Sequence, residues 1–228
     1  MKVAVGKVAV GKVAVGLIAK VPEVGRVKTR LCPPLTLPEA AEMAAAMLTD
    51  TLAAAASSGA DPWCVYDGDE RVLVRHLQLP VPVLRQTGGG LEARLEAAQA
   101  DLFARGYDQV ILLGADCPTV SGAYLRQAIG ALVDVDLVLG PAMDGGYTLI
   151  GTNAPSPALF DGVPMSTDRV LTDTLERAVQ QRLQVRLLAW RHDLDTVADL
   201  VEARAGGQLA YATATLTALD RLRLPSRS

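Results

Sequence analysis

A group of cations stands near the start of the chain, directly after an apolar run that is typical of a buried strand. Lys20 ends that run, and Arg26, Lys28 and Arg30 follow Gly25 at alternate positions. Arginine offers a planar fork of donors to phosphate oxygens, lysine offers a point charge, and glycine lets backbone N–H groups approach an anion. The spacing indicates a phosphate-binding loop, although the Gly-x-x-x-x-Gly-Lys-Ser/Thr pattern is absent and a solvated surface loop is the alternative.

Two later loops each carry a carboxylate between strand-like apolar runs. Asp116 lies just past one such run, where a carboxylate can hold Mg²⁺ or Mn²⁺ while phosphate oxygens complete the shell of the metal. Asp144 is followed by Gly145, Gly146 and Tyr147, and the tyrosine could cover a base or a sugar. A turn-forming aspartate before proline and a hairpin at Asp-Gly-Gly are the structural alternatives.

A further pair of carboxylates follows the last predicted strand. Asp193 and Asp195 are two residues apart, so in an extended segment they face the same side and could share a metal ion. Asp195 or Thr196 could instead be the N-cap of the helix that follows. The residues alone favour neither interpretation.

Strands and helices are predicted to alternate along most of the chain. Thr36 and Glu39 have capping-box spacing at the start of the first long helix. Strands are predicted at 13–19, 63–66, 72–75, 109–114, 137–140, 147–151 and 184–190, and helices at 37–57, 91–105, 122–133, 167–181, 196–204 and 208–222. Such alternation predicts a parallel-type sheet with helices on both faces, and ligands of these sheets bind at the carboxyl ends of the strands.

Composition is that of an ordinary α/β protein. The chain has 228 residues, of which 50% are hydrophobic, and a net charge of −3, so it lacks the basic surplus of a nucleic-acid-binding protein. No apolar stretch is long enough for a membrane span. The three cysteines show no Cys-x-x-Cys spacing, and we expect a reduced, cytoplasmic protein that is free to form an oligomer.

The N-terminus repeats Lys-Val-Ala-Val-Gly three times in succession. The five-residue period matches no solenoid class, and the recurring charges are unlike a signal peptide. We therefore expect residues 1–11 to be an extension that is frayed or paired with a sheet edge, and residues 12–228 to form a single domain.

Taken in order, these segments resemble a bacterial glycosyltransferase-like family of unknown function (DUF2064 type) within the nucleotide-diphospho-sugar transferase superfamily. The matching segments are 20–31, 114–118, 140–151, 166–175 and 193–200. The resemblance implies a GT-A, Rossmann-like fold, which is a three-layer α/β/α sandwich with a mostly parallel mixed sheet. It also implies phosphate binding by the first loop and a divalent metal near Asp116. The guanylyltransferase and molybdopterin-nucleotidyltransferase branches of the superfamily are similar as well.

The chain departs from the family pattern at three points. Residues 88–91 read Gly-Gly-Gly-Leu where the family tends to have Gly-Asp-Leu-Gly, and Met165 stands where it tends to have tryptophan. Many glycosyltransferases carry Asp-x-Asp, whereas this chain has Asp-Cys-Pro at Asp116. The resemblance then implies that Asp193 or Asp195 supplies the second metal ligand.

Three functions are compatible with the sequence. The first is metal-dependent glycosyl transfer from a nucleotide-diphospho-sugar to a small acceptor, in which Arg26, Lys28 and Arg30 hold the diphosphate. In this scheme the metal on Asp116 stabilises the leaving group, Asp144 orients the sugar or serves as base, and Lys28 and Asp144 are the catalytic candidates. The second is nucleotidyl transfer from a nucleoside triphosphate to a phosphorylated small molecule. The third is a nucleotide-binding module without turnover.

Overall fold

The centre of the protein is a seven-stranded sheet, in a computed structural model that describes residues 11–165, 167–192 and 194–224. The strands are β1 (Val13–Lys20), β2 (Asp61–Asp67), β3 (Val83–Arg85), β4 (Gln109–Gly114), β5 (Leu137–Pro141), β6 (Tyr147–Thr152) and β7 (Val185–Leu187). Across the sheet their order is β3-β2-β1-β4-β6-β5-β7. Strand β6 is antiparallel to both of its neighbours, and the other neighbouring pairs are parallel. The predicted mixed, mostly parallel sheet is confirmed.

Helices cover both faces of this sheet, as predicted. They are α1 (Leu37–Ala56), α2 (Glu70–His76), α3 (Leu91–Ala104), α4 (Gly122–Ala131), α5 (Val170–Gln180), α6 (Val197–Ala205) and α7 (Thr213–Arg221). Within the described ranges, none of them combines the length and the apolar character that crossing a bilayer would need. The first two copies of the repeat lie outside the described residues, apart from Gly11, whereas the third copy is described and its residues 13–16 begin β1.

Alternate side chains of the central strands enter two different cores. Val15 and Leu17 of β1 are fully buried on the face covered by α1 and α4, whereas Ala14 is buried against α3 on the other face. Both faces exclude water, which explains why β1 and β4 are apolar without polar alternation. These two central strands therefore form a rigid base for the loops at their carboxyl ends.

Helix α1 begins as its sequence predicts and also supports the end of the chain. Thr36 and Glu39 form the predicted capping box. Farther along, the buried carboxylate of Asp50 accepts backbone N–H bonds from Ala214 (3.0 Å) and Thr215 (2.7 Å). Because α7 lacks a side-chain cap of its own, Asp50 supplies one from a distant part of the chain.

The prediction of a strand at 72–75 is wrong, because this segment lies in helix α2. Asp69 caps the helix by accepting the N–H of Arg71 at 2.8 Å. Leu73 is buried, whereas Val74 is 56% exposed. The Val-Leu-Val run therefore contributes one side chain to the core and does not form a strand. The local cap therefore outweighs the β-propensity of the two valines.

Three other elements differ from the prediction. Strand β3 was not predicted, because Pro80 and Pro82 break the pattern; at the sheet edge, Pro82 still accepts the N–H of Cys64 at 3.0 Å. Residues 208–211 form turns, so the helix predicted from residue 208 begins at Thr213. The strand predicted at 184–190 is limited to Val185–Leu187.

Candidate active site

A cavity of about 560 Å³ lies where the carboxyl ends of β1 and β4 meet the start of β6. Strand β6 runs antiparallel to β4, so its first residue, Tyr147, reaches the same edge of the sheet as Lys20 and Gly114. The cation-rich loop, the Asp116 loop and the loop of Asp144 all contribute to the lining. The fold thus brings together three segments that are far apart in the sequence.

Lys28 joins two of the predicted carboxylates. Its Nζ lies 2.7 Å from Oδ2 of Asp116 and 2.8 Å from Oδ1 of Asp195, and Arg30 donates to Oδ2 of Asp195 at 3.2 Å. The Lys28 side chain is only 7% exposed, while those of Asp116 and Asp195 are 50% and 45% exposed. The structure therefore places a buried ammonium group beneath two carboxylates that face the cavity.

The charges of this cluster fix its protonation. Burial disfavours the ammonium of Lys28, but Asp116 and Asp195 outweigh burial and raise the pKa of Lys28 above its ordinary value. Burial also opposes ionisation of Asp195, yet Lys28 and Arg30 lower the pKa of that carboxyl below its ordinary value. At neutral pH, Lys28 is a fixed cation and cannot accept a proton.

The backbone at Lys28 is strained. Its φ is 47° and its ψ is 34°, a left-handed conformation that non-glycine residues seldom adopt. A short 3-10 turn, Thr29–Leu31, follows at once, and the buried Leu31 fixes it to the third core, which α1 shares with α6 and α7. The Lys28 side chain is buried in this arrangement, and strained non-glycine backbone of this kind is a reason to consider a residue as a functional candidate.

The structure decides which residue caps α6. Thr196 accepts the N–H of Asp199 at 3.2 Å, and the Asp199 carboxylate accepts the N–H of Thr196 at 2.7 Å, so Thr196 and Asp199 form a capping box. The Asp195 side chain is not used as a cap and is available to the cavity. Asp193 lies outside the described residues.

The loop of Asp144 is a hairpin connection between β5 and β6, so the structural alternative is correct. It also lines the cavity: Asp144 is exposed, and its Oδ1 accepts the N–H of Gly146 at 2.9 Å. Gly145 has a φ of 90°, and a Cβ atom built there would lie 2.1 Å from the carbonyl oxygen of Asp168. Tyr147 contributes to the wall, and burial raises the pKa of its hydroxyl to about 12.

The remaining predicted residues have more peripheral positions. Lys20 is exposed in the lining of the cavity, and Arg26 is an exposed lining residue that pairs with Glu23. Gly25 does not line the cavity; its φ of 80° shapes the turn that leads to the cations. The predicted phosphate ligands therefore differ in burial, and Lys28 is the most enclosed of them.

Sequence reasoning missed two lining residues on the β3 side of the cavity. The Gln86 amide donates to the carbonyl oxygens of Ala19 (3.1 Å) and Val65 (2.8 Å) and thereby ties β1 to β2. Arg94 pairs with Asp67 at 2.9 Å. The position of Gln86 directly after a strand could have revealed it, but only if β3 had been recognised.

Comparison with known proteins identifies the family. The sequence model of an uncharacterised bacterial protein family, DUF2064, matches residues 49–167, which make up just over half of the chain. The chain belongs to the DUF2064 family. The resemblance carried by the sequence motifs is thereby confirmed.

Individual relatives of this DUF2064 protein are transferases by name. A phosphoenolpyruvate guanylyltransferase of Rhodococcus erythropolis is 30% identical over 236 aligned residues, which cover 92% of this chain and 98% of the relative. A crystal structure from Desulfovibrio desulfuricans G20, provisionally assigned as a nucleotide-diphospho-sugar transferase, has a TM-score of 0.83 and 29% identity over 92% of this chain and 98% of the other.

A third comparison concerns metal. A Mycobacterium tuberculosis protein solved in complex with manganese has a TM-score of 0.50 and 21% identity, with 81% of this chain and 92% of the other covered. At that identity the likeness shows the fold alone. Together, the comparisons confirm the predicted fold and transferase class of the DUF2064 protein.

The residues that could hold a divalent ion are Asp116 and Asp195. Among the described residues, no group of three or more His, Cys, Asp or Glu side chains is placed to hold a metal ion. The two carboxylates nevertheless converge, since each has an oxygen within 2.8 Å of the same Lys28 nitrogen. Mg²⁺ is commonly held by one or two carboxylates plus substrate phosphates and water, so this pair fits such an ion in company with a nucleotide.

Proposed function

We propose that this protein is a metal-dependent nucleotidyltransferase that moves a nucleoside monophosphate from a nucleoside triphosphate to a phosphorylated small molecule. One observation carries the proposal: the cavity concentrates fixed cations around two carboxylates, and among the lining residues that the structure describes no carboxylate is free of an ion pair or a hydrogen bond. The cations are Lys20, Arg26, Lys28, Arg30 and Arg94. The described lining residues include no histidine.

The carboxylates of the cavity are also poor candidates for a base. Asp116 and Asp195 are held by Lys28, and Asp195 is held by Arg30 as well. Asp144 is exposed and uses one oxygen to accept the N–H of Gly146. A hydroxyl acceptor would need one of these groups to remove its proton.

A phosphate acceptor does not have this requirement. The second pKa of a phosphate monoester is about 6, so its nucleophilic oxygen is largely ionised at neutral pH. That oxygen attacks the α-phosphorus of the triphosphate, the bond between the α-phosphorus and the bridging oxygen to the β-phosphorus breaks, and pyrophosphate leaves with the bonding electrons. The products are pyrophosphate and a nucleotide joined to the acceptor through a new diphosphate bond.

The residues of the cavity would stabilise the charge that moves in this step. Lys28 would contact the phosphate oxygens at the reacting centre, and Lys20, Arg26 and Arg30 would bind the remaining triphosphate oxygens. A Mg²⁺ or Mn²⁺ ion held by Asp116 and Asp195, when bound, would neutralise phosphate charge. The guanylyltransferase relative supports this assignment, because its name describes nucleotide transfer to a small molecule that already carries phosphate.

Glycosyl transfer from a nucleotide-diphospho-sugar is the second candidate. Asp144 favours it, because this exposed carboxylate lines the cavity on the β6 side, away from the cation-rich loop, where it could orient a sugar. Arg26, Lys28 and Arg30 would then hold the diphosphate of the donor. The structural neighbour from Desulfovibrio desulfuricans is consistent with this alternative.

The experiment is a product assay with four nucleoside triphosphates and a set of phosphorylated small acids, sugars and alcohols, each with Mg²⁺, with Mn²⁺ and with EDTA. Nucleotidyl transfer predicts metal-dependent release of pyrophosphate that requires the acceptor. Nucleotide-diphospho-sugars are tested in parallel, and release of a nucleoside diphosphate from them would instead establish glycosyl transfer. Binding of a nucleotide without either product would indicate a non-catalytic module.

The variant Asp116→Asn tests the metal site. Turnover should fall by about a hundredfold or more, since the change removes a charged ligand and its electrostatic contribution. Folding should be retained because Asp116 is half-exposed. Asp101→Asn, a change at an exposed carboxylate of α3, is the matched control. Full activity of Asp116→Asn would show that the metal assignment is incorrect.

A further inference from the structure

The position of Lys28 has a consequence for the order in which ligands bind. Its Nζ occupies the point on which Asp116 and Asp195 converge, at 2.7 Å and 2.8 Å. These are the two carboxylates that fit a divalent ion. In the structure, a side chain of this chain therefore serves as the cation of that pair.

The local charges are balanced in this state. Asp116 and Asp195 carry two negative charges, and Lys28 and Arg30 carry two positive charges in direct contact with them. A divalent ion that approaches this neutral cluster meets one ammonium group and one guanidinium group and must compete with them for the same oxygens. Like charges a few ångströms apart in a partly buried site repel strongly. The cluster without nucleotide should therefore bind metal weakly.

A triphosphate would change this balance. Its oxygens are alternative acceptors for the ammonium group, and Lys28 reaches the cluster on a flexible four-carbon stem from a strained backbone. When Lys28 turns to a phosphate, the two carboxylates lose their internal cation and recover their attraction for a divalent ion.

We propose that Lys28 is a stand-in for the metal. Its ammonium group blocks the Asp116–Asp195 pair until a nucleotide binds, and it then moves from the carboxylates to a phosphate oxygen of the nucleotide. The inference rests on the proposed function, since it assumes that a nucleotide and a metal share this cavity. Nucleotide and metal then favour the binding of each other, and the coupling is reciprocal. The enzyme avoids holding a metal ion at this pair before its nucleotide is present.

The test measures the binding of Mn²⁺ alone, in the absence of nucleotide, by electron paramagnetic resonance of the free ion. Lys28→Met removes the competing charge and keeps the length of the side chain, so we expect it to bind Mn²⁺ about tenfold or more tightly than the unmodified protein. Lys20→Met is the matched control, because it removes one cation from the lining of the same cavity but contacts neither carboxylate. Its Mn²⁺ affinity should stay within about threefold of that of the unmodified protein.

A second measurement uses the unmodified protein and does not depend on the folding of a variant. The ¹⁵N-detected signal of the Lys28 ammonium, assigned with Lys28→Arg, should be unchanged by Mg²⁺ alone. It should shift when Mg²⁺ and a non-hydrolysable triphosphate are added together.

The outcomes separate the inference from the function on which it rests. Equal Mn²⁺ affinity of the unmodified protein and Lys28→Met would overturn the stand-in role but leave the metal site intact. A Lys28 signal that moves on addition of Mg²⁺ alone would overturn it too. Absence of Mn²⁺ binding in both proteins would contradict the metal site itself, and the product assay decides the reaction independently of all three results.

Discussion

Gly145 is the position in the β5–β6 loop that leaves no room for a side chain, and Gly145→Ala is therefore a sharp test of how the loop is held. A Cβ atom would lie 2.1 Å from the Asp168 carbonyl oxygen, whereas ordinary contacts begin near 3.4 Å, so the two segments must separate by about 1.3 Å. They are also joined by the N–H of Leu171, which donates to the Gly145 carbonyl at 2.9 Å. The substitution must weaken this junction.

Two costs contribute to the expected loss of stability. An alanine in the left-handed region costs about 1–2 kcal/mol, and forcing an extra methyl group into a filled space costs about 1–3 kcal/mol. The sum, about 2–5 kcal/mol, corresponds to a fall in melting temperature of roughly 5–15 °C for a chain of this size. Displacement of Asp144 and Tyr147 by about 1 Å should also lower turnover by about a hundredfold.

The assay is thermal unfolding followed by circular dichroism, with kinetics measured well below both melting temperatures. Gly89→Ala is the matched control, since no atom lies within 4 Å of its Cβ position and its φ is not in the left-handed region. It should change the melting temperature by less than about 2 °C. If Gly145→Ala melts within 1 °C of the unmodified protein and turns over within twofold of it, the reasoning about the loop is refuted.

Two further predictions concern stability. Asp50→Ala should lower the free energy of unfolding by about 2–4 kcal/mol, because it leaves two N–H groups at the start of α7, one part-buried and one buried, without their charged acceptor. Urea denaturation measures this, and an unchanged midpoint would contradict the distant cap. The folded-state pKa of Asp195 is lowered, so its contribution to stability is present above its unfolded pKa of about 3.9 and is lost as the pH falls through the folded value. Asp195→Asn should therefore flatten the dependence of stability on pH below about pH 4; the same acid slope in both proteins would show that the pairing of Asp195 with Lys28 contributes nothing.

Local chemistry explains which parts of the fold could be predicted from the sequence. The Thr36–Glu39 capping box and the uninterrupted apolar run of β4 are signals that lie within a few residues, and both elements formed where they were predicted. Helix α2 and strand β3 were missed because the decisive interactions there are a single cap at Asp69 and pairing with a distant strand. Propensity alone does not contain that information.

In the candidate site, too, some features could be predicted from the local sequence and others depend on contacts between distant residues. Asp116, Lys28 and Asp195 could be selected because charged residues follow apolar strands, and parallel strands bring their carboxyl ends to one edge. Their mutual contact could not be predicted, since Lys28 and Asp195 are 167 residues apart in the sequence. Gln86 could not be selected, because a neutral amide carries no signal of a site until the strand that precedes it is known.

This long-range contact changes how the predicted roles combine. Separate motifs assigned Lys28 to phosphate and Asp116 and Asp195 to metal, as though each group acted alone. In the folded protein one ammonium group pairs with both carboxylates, so the proposed phosphate ligand and the proposed metal ligands share the same interactions. Residues in one charged network do not contribute additively. Removing Lys28 should therefore change the proposed metal binding, and removing either carboxylate should change how Lys28 is held, because the three side chains form one charged cluster.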